Sequence, residues 1–495
     1  MKISLQQRLK SKDGVLVVPL FENQLKDLSQ NLPAKIREFI GKVHKNKAFK
    51  GAKNEMLLTY FGDKGLPPRL LLLGLGKSPA LSVKSILNCA GMLGKKLKSG
   101  KIAELNILLP QELYVGLEHF LIALIQSQYD TGKLKKINKS KHPHDLQKVN
   151  FIIDKISRVS EKELEAKIEK AQYIGSSLEF VKDLVNRPSN YVHGESMAQN
   201  AYKIAKENYY KIGVFGNKEL KKMGFGGLLA VNQGAHNEAK CIVLQYHGAP
   251  KKNEPPIALI GKGIIFDTGG YNMKMNKKMD EMHQDMAGGA TVLGIFRILK
   301  DLEIKKNVIG IIPIAENLVS DKAYRPSDII TMLSGHTVEI TNTDAEGRIV
   351  LADAITYALE FKPQALITIA TLTGAAGIAV GNRYAGLLGN DPILRNKIKN
   401  AGKETDDRGW SLPLPKDYIE KMKSKVADLR NYDVGSSHYA GASKGAAFLS
   451  YFVGKTPWCH IDIGGTAFTE DPKPYQTHGA TGHGFLMLLK FLEQT

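Results

Sequence analysis

Cysteine is scarce: three in 495 residues (Cys89, Cys241 and Cys459), far apart and odd in number. That excludes a disulfide framework and points to a reducing compartment, the cytoplasm. No stretch approaches the roughly 18 unbroken apolar residues that a membrane span needs. The strongest candidate, Leu117 to Gln126, is short and contains Glu118 and His119. The opening MKISLQQRLKSKDG has no apolar core behind its first charges, so no secretory signal is expected. There is no H-E-x-x-H, no C-x-x-C and no G-x-S-x-G, and the 13 histidines do not cluster at ligand spacing. Zinc-finger, thiol-redox and serine-hydrolase chemistry lose their usual supports. Gly74-Leu75-Gly76-Lys77-Ser78 has the look of a phosphate loop. However, Leu71 stands where the Walker pattern needs glycine, and Pro79 where the dinucleotide pattern needs one. A strand-to-loop turn explains it. No internal repeat of 20–50 residues and no low-complexity segment is present.

Hydrophobic residues make up 43% and charged residues 24%, which excludes a disordered or collagen-like chain. The length suggests two or three domains. The charge is uneven. Lys and Arg total 69 against 49 Asp and Glu, a net +20. Residues 1–150 hold 26 basic against 11 acidic residues, and the remaining 345 hold 43 against 38. A basic region of this kind either keeps a protein soluble or attracts nucleic acid or anionic lipid by its field. The densest run, Lys133, Lys135, Lys136, Lys139 and Lys141, lies in a polar stretch that reads as a loop. It has no interleaved aromatics for base stacking.

Apolar runs at Val15–Leu20, Arg69–Leu75 and Glu104–Leu109 read as strands, with helical stretches such as Val83–Lys98 between them. Glu161–Asn186 reads as one long helix stopped by Pro188, and we expect it to connect two domains. Beyond it, Lys240–Tyr246, Ile257–Ile260, Val308–Ile314, Ala365–Ala370 and His460–Ile463 read as strands. Ala287–Leu302 and Val350–Glu360 read as helices. The expected architecture is α/β throughout, as sheets covered by helices. The expected divisions are 1–160, a linking helix 161–187 and a second domain 188–495.

Two segments concentrate acids among glycines. Lys262 and Asp267 follow the apolar run Ile257–Ile260, in Gly261-Lys262-Gly263-Ile264-Ile265-Phe266-Asp267-Thr268-Gly269-Gly270; then come Lys274 and Met279 to Met286, with Asp285. The second segment is Asn342-Thr343-Asp344-Ala345-Glu346-Gly347-Arg348, after a strand-like Val338–Thr341. Side chains at the carboxyl ends of strands in an open α/β sheet face the ligand crevice. Asp344 and Glu346 alternate, so they share a side if that loop is extended. Asp267, Asp285, Asp344 and Glu346 gathered in one crevice would repel one another unless cations neutralised them. Several carboxylates suit two divalent ions; alternatively each acid caps a helix or lines a turn.

The string Asn342–Arg348 resembles the signature of the leucyl aminopeptidase family, the dinuclear cytosol aminopeptidases. Gly261–Gly270, Lys274, Met279–Gly288, Ala370-Thr371-Leu372-Thr373-Gly374-Ala375, Asn186-Arg187-Pro188-Ser189-Asn190 and Gly479-Ala480-Thr481-Gly482 resemble further family motifs in the same order. The likeness is strong over about 165–495 and weak before. It implies an N-terminal domain of macro-domain type, a linking helix and a C-terminal metallopeptidase domain with a mixed central sheet. It also implies two divalent metal ions per subunit, Mn²⁺ or Zn²⁺. Lys262, Asp267, Asp285 and Glu346 would hold the tighter ion, and Asp267, Asp344 and Glu346 the exchangeable one. Lys274 would stabilise the oxyanion and Arg348 would hold a bicarbonate that relays a proton. Met282, Thr371 and Gly374 would line the side-chain pocket. The implied activity is release of N-terminal residues, Leu preferred, from peptides with a free amine, by a homohexamer. Some family members bind DNA, which the basic first third would suit. The sequence departs from the pattern at Thr368, where many members have an acid, and at His336, where many have Lys.

Overall fold

The computed structural model describes residues 1–495 apart from 10–13, 24–27, 30–31, 62–66, 79–80, 136–145, 154–158, 252, 276–278, 434 and 436–438. Three lysines of the dense run, Lys136, Lys139 and Lys141, therefore lie outside the described residues, as does Pro79. The chain divides into two compact units, Met1–Ser176 with Asp471–His478, and Ser177–Glu470 with Gly479–Thr495. The division falls inside the Glu161–Asn186 helix, which spans the range read from the sequence. That helix opens on a capping box: Ser160 Oγ accepts from Glu163 N at 3.2 Å while Glu163 Oε2 accepts from Ser160 N at 2.8 Å.

The first unit is built on a six-stranded sheet in the order Lys2–Gln6, Lys148–Ile152, Glu104–Leu108, Val15–Phe21, Arg69–Gly76, Met56–Tyr60. All neighbours pair in parallel except the last, which is antiparallel. Val15–Phe21 is buried along its whole length because both faces are covered, which is why it reads as an unbroken apolar run. The helices Val83–Ser99 and Leu117–Gln128 pack on one another, with Gln128 Nε2 donating to Gly94 O at 2.8 Å, and each buries apolar residues, Ile86, Leu93 and Leu97 on the first and Phe120 and Leu124 on the second. Two of the buried polar residues, Asn106 and Asn150, bond each other at 2.8 Å.

The second unit carries a nine-stranded sheet. Its path is Gly409–Ser411, Ala385–Gly389, Trp458–Asp462, Ala365–Ala370, Ile257–Gly261, Asn307–Asn317, Lys240–His247 and Lys211–Phe215, with Gly263–Asp267 pairing off the path with Asn307–Asn317. The four central strands, Trp458–Asp462 through Asn307–Asn317, run parallel, and the flanking pairings with Ala385–Gly389 and Lys240–His247 are antiparallel. The sheet is mixed, as expected. Since the central strands run parallel, their carboxyl ends lie at one edge. The residues there are Lys262, Thr371, Asp462 and Asn317, where apolar runs give way to polar side chains. A small sheet of Ile329–Thr331, Thr337–Glu339 and Leu429–Arg430 carries the chain into Asn342–Arg348.

Candidate metal centre

Lys262 leaves the central strand Ile257–Gly261 with its backbone clamped. Its N–H donates to Ile369 O at 3.1 Å, and its carbonyl accepts from Gly289 N, at the start of the Ala287–Ile298 helix, at 2.8 Å. The side chain is 2% exposed. Its Nζ lies 2.8 Å from Asp285 Oδ2, 2.7 Å from Glu346 Oε1 and 3.2 Å from Thr371 O. Gly347 makes this approach feasible: a Cβ there would sit 2.6 Å from Lys262 Nζ. Asp267 ends the short strand Gly263–Asp267. Its Oδ1 accepts from Gly269 N and Asn317 Nδ2, both at 2.8 Å, and its Oδ2 pairs with Lys274 Nζ at 2.8 Å. Lys274 also pairs with Asp344 Oδ1. Gly269 adopts φ +86°, and a Cβ on it would come within 2.9 Å of Asp344 Oδ1.

The stretch carrying Asp344 and Glu346 is not extended, so the condition under which alternation alone would put them on one side is not met. Asp344 lies in a turn, where its N–H donates to Asn342 Oδ1 at 2.8 Å, and Glu346 opens the Glu346–Leu359 helix. The turn brings the two acids together, and the helix dipole favours a carboxylate in its first turn by about 0.3–1 kcal/mol. Carboxylate oxygens of Asp267, Asp344 and Glu346 all lie within 4.8 Å of one another.

Four carboxylates face two ammonium groups here. Burial, and then the charges of Glu346 and Asp267, push the Asp285 carboxyl well above the usual range despite Lys262. Asp344 shifts the same way, through burial and then Asp267 and Glu346. Burial alone would lower both lysines, but the carboxylates outweigh it and hold Lys262 and Lys274 above the ordinary lysine value. The carboxylates are thus under-neutralised by two charges. Hard oxygen donors in this number and spacing fit a divalent cation. Lys262 would join as a ligand only on giving up its proton.

Arg348, 4% exposed, is in the first turn of the same helix. Its Nη1 donates to Asn431 O at 2.8 Å, its guanidinium lies 5.8 Å from the Tyr432 ring centroid, and its buried Nε has no hydrogen-bond partner among the described residues. Burial lowers its pKa to about 10. Thr371 is brought into the cluster: its Oγ1 donates to Asp285 Oδ1 at 2.7 Å. Gly374 opens the Gly374–Val380 helix and is exposed, with no atom of the described residues within 4 Å of where a side chain would begin. Met282 is half-buried in the Met279–Gln284 turn, and its carbonyl accepts from Asp285 N at 3.5 Å. Thr368 shares a buried network with His460 Nδ1 (2.9 Å) and Trp458 Nε1 (3.1 Å), and His336 bonds Ser334 Oγ at 3.0 Å.

Sequence reasoning missed several residues that build this centre. Asn317 Nδ2 holds both Asp267 and Thr343 O (3.0 Å), and Tyr324 Oη donates to Thr343 O at 2.8 Å. Asp462 accepts from Thr373 Oγ1 at 2.6 Å and from the N–H groups of Leu372, Thr373 and Gly464, shaping the loop after Ala370. Asn317 and Asp462 each end an apolar strand, a signal that could have marked them. Asn431 offered none. Two of the matching motifs also meet in space: Asn186 Oδ1 accepts from Ala480 N at 2.8 Å.

The sequence matches two family profiles, the catalytic domain of the Cytosol aminopeptidase family over residues 179–489 and its N-terminal domain over 17–138. A probable cytosol aminopeptidase of Geobacter sp. (strain M21) is 36% identical over 499 residues, covering 100% of this chain and 99% of the relative. That of Pseudomonas fluorescens (strain SBW25) is 40% identical over 86% of this chain and 84% of the relative. Among solved structures, the bottromycin maturation enzyme BotP in complex with Mn superposes with a TM-score of 0.82 over 97% of this chain and 99% of that one, at 24% identity, a likeness of fold. With both domains matched and relatives this similar along nearly the whole length, the chain belongs to the cytosol aminopeptidase family and is a metal-dependent aminopeptidase.

Proposed function

We propose that the protein releases N-terminal residues from peptides, with Leu preferred in a broad apolar range, using two divalent ions per subunit. The observation that carries this is the gathering of Asp267, Asp344 and Glu346 within 4.8 Å, with Lys262 and Lys274 bonded among them and Asp285. Lys262, Asp267, Asp285 and Glu346 would hold the tighter ion; Asp267, Asp344 and Glu346 the exchangeable one. Mn²⁺ is the first choice, since BotP, which shares the fold, holds Mn and the donors are mostly oxygen; Zn²⁺ is the second. When bound, such ions polarise the scissile carbonyl and lower the pKa of a water so that hydroxide forms near neutral pH.

The chain's own residues supply the rest. Lys274, an ammonium fixed by Asp267 and Asp344, donates to the oxyanion as it develops. Arg348 would hold a bicarbonate, which would supply a proton relay: its Nε is buried without a partner among the described residues, and its planar fork suits a planar oxyanion. Thr371 orients Asp285 and forms one wall of the side-chain pocket, Met282 a second, adaptable wall, and Gly374 leaves the mouth open. The free α-amine of the substrate joins the metal site, which restricts cleavage to the N-terminus. The homohexamer and the cytoplasm complete the reading, supported by the family resemblance; no described helix is long and apolar enough to cross a membrane.

Leucine amide hydrolysis tests it. Activity should vanish with a strong chelator and return with Mn²⁺ or Zn²⁺, and N-acetyl-leucine amide should be inert throughout. Full turnover in protein shown metal-free by elemental analysis, or equal rates on the acetylated substrate, would sink the proposal.

A further inference from the structure

Asn431 is fully buried at the end of the short strand Leu429–Arg430. Its own backbone is pinned to the neighbouring strand, Asn431 N donating to Glu339 O at 3.0 Å. Its side chain reaches into the segment some 90 residues upstream that carries two of the acids. Oδ1 accepts from Thr341 N at 2.9 Å, Asn342 N at 3.2 Å and Thr341 Oγ1 at 3.3 Å. Nδ2 donates to Asn342 O at 2.6 Å and, at the longer distance of 3.5 Å, to Ala345 O. Its carbonyl takes the bond from Arg348 Nη1 at 2.8 Å. The next residue continues the pattern, with Tyr432 O accepting from Thr341 Oγ1 at 2.7 Å. Two residues on, Asp433 forms a buried ion pair with Lys444 of the Gly441–Val453 helix at 3.0 Å.

One buried amide therefore supplies the missing strand partner to the turn 341–345. A turn has few hydrogen bonds of its own, so its geometry is set by what it leans on. Metal ligands need support of this kind, because a carboxylate displaced by a fraction of an ångström no longer meets its ion. We propose that Asn431 is a positioning residue. It fixes the turn that presents Asp344 and Glu346 and, through its carbonyl, holds Arg348 in register with them. The hydrogen bonds of Asn431 among the described residues go to backbone groups, Thr341 Oγ1 and Arg348 and not to the four carboxylates, so it acts through the groups it holds. The inference rests on the roles proposed above for Asp344, Glu346 and Arg348.

The test uses the full-length protein in four forms: wild type, Asn431→Ala, Asn431→Ser and Ser424→Ala. Ser424 is the control. It bonds Glu339 in the same small sheet and the turn Val426–Ala427, away from the acids. Mn²⁺ binding to each metal-stripped protein is followed by calorimetry and by the electron paramagnetic resonance of Mn²⁺, and leucine amide hydrolysis is then measured at saturating Mn²⁺. Asn431→Ala should weaken the weaker Mn²⁺ step, which takes both Asp344 and Glu346, by about 10–100-fold, and the tighter step, which takes Glu346 alone from this segment, by less. At saturating Mn²⁺ it should lower kcat by about tenfold with KM within about twofold. Ser424→Ala should lower the melting temperature without moving Mn²⁺ binding or kcat. Wild-type Mn²⁺ binding and kcat in folded Asn431→Ala would overturn the proposal, whatever the melting temperature does. If Asn431→Ala does not fold, Asn431→Ser, which keeps a hydroxyl without the reach to Ala345, is judged by the same criteria. A wild type that binds no Mn²⁺ would overturn the metal reading beneath the proposal, a failure visible before any variant is compared.

Discussion

The two units handle charge in opposite ways. Among the described residues, the first unit keeps its charged side chains out of its interior, and its buried polar groups are neutral ones such as Ser85, Asn106, Gln126, Ser127 and Asn150. The second unit buries a whole set: Lys182, Lys262, Asp267, Asp285, Glu346, Arg348, Asp353, Asp406, Asp407, Asp433, Lys444 and Asp462. Yet the chain's excess of positive charge belongs to the first third, with 26 basic residues against 11 acidic, while the rest is nearly balanced. Net charge and buried charge thus point to different halves of the molecule. Surface charge costs little and is screened by salt. Buried charge is expensive and persists only where partners or ligands compensate it, so it marks where chemistry is done.

The sharpest way to break that comparison is to remove one of the buried acids. Asp267→Ala deletes a carboxylate that the proposal places between both ions, and the variant should lose bound metal together with detectable leucine amide turnover. Elemental analysis beside the rate measurement checks it. A variant that keeps two metals per chain would show that Asp267 is an ordinary buried acid. Lys274→Ala should act differently. It should lower kcat by about 10²–10³, the usual loss for one oxyanion donor, with metal content unchanged. Loss of metal in Lys274→Ala would recast that lysine as structural.

Much of the fold was legible because sheet strands buried on both faces read as continuous apolar runs. Val15–Leu20, Arg69–Leu75 and Ala365–Ala370 sit where such runs predicted, and Pro188 marked the end of Glu161–Asn186. Strands Lys2–Gln6 and Lys148–Ile152 went unread because polar residues interrupt them, Ser4 donating to Asn150 across the pairing (2.8 Å) and Asn150 in turn to Asn106 and Glu104. In the metal centre, acids among glycines were visible as a class, since only a cation or a helix end explains such a concentration. Whether Asn342–Ala345 is extended or turned was not legible, because the turn leans on Asn431. A lone asparagine about 90 residues away leaves no periodicity or spacing to detect. The branch of Thr368 to His460 and Trp458 was hidden for the same reason: strand pairing, not sequence neighbourhood, joins them.

A smaller effect sharpens the comparison from the side of stability. Asp353 is fully buried, away from the four acids, and its oxygens accept from Leu228 N and Leu333 N, both at 2.9 Å. Burial nevertheless pushes its pKa up to about 7. The folded chain then holds this proton where the unfolded chain has already lost it. Between the ordinary carboxylate value and about pH 7 the group therefore makes stability fall as pH rises, by at most about 1.4 kcal/mol per pH unit. Below that window both states are protonated, and above it both are ionised, so the slope vanishes. Asp353→Asn removes the slope while adding a pH-independent loss of about 1–3 kcal/mol for the acceptor it gives up. The deficit of the variant against wild type, read as a difference in melting temperature, should be largest near pH 4.5 and shrink by pH 7.5. A deficit that does not change with pH would mean that Asp353 is ionised throughout and fully supported by its two N–H partners.

The last prediction concerns the other half of the comparison, the exposed excess of the first third. Duplex DNA is the occupant that would give that charge a function of its own. Binding of this kind is driven by release of counterions from phosphate. It should weaken by about 10³–10⁵ between 50 and 200 mM salt if 6–10 phosphates are engaged. Six copies in a hexamer would multiply the patch, so weak contacts would register through avidity. The measurement is a mobility shift at both salt concentrations, using the intact protein and a variant with Lys133, Lys135, Lys136, Lys139 and Lys141 changed to Gln. The peptidase rate should be the same in both, because none of these lysines belongs to the metal centre. A shift at 50 mM that disappears at 200 mM and is lost in the variant would break the contrast drawn above, since surface charge would then do work as specific as the buried set does. Duplex DNA left unshifted at 50 mM would confine that charge to solubility, and the contrast would stand with all of the chemistry on the side of the buried charges.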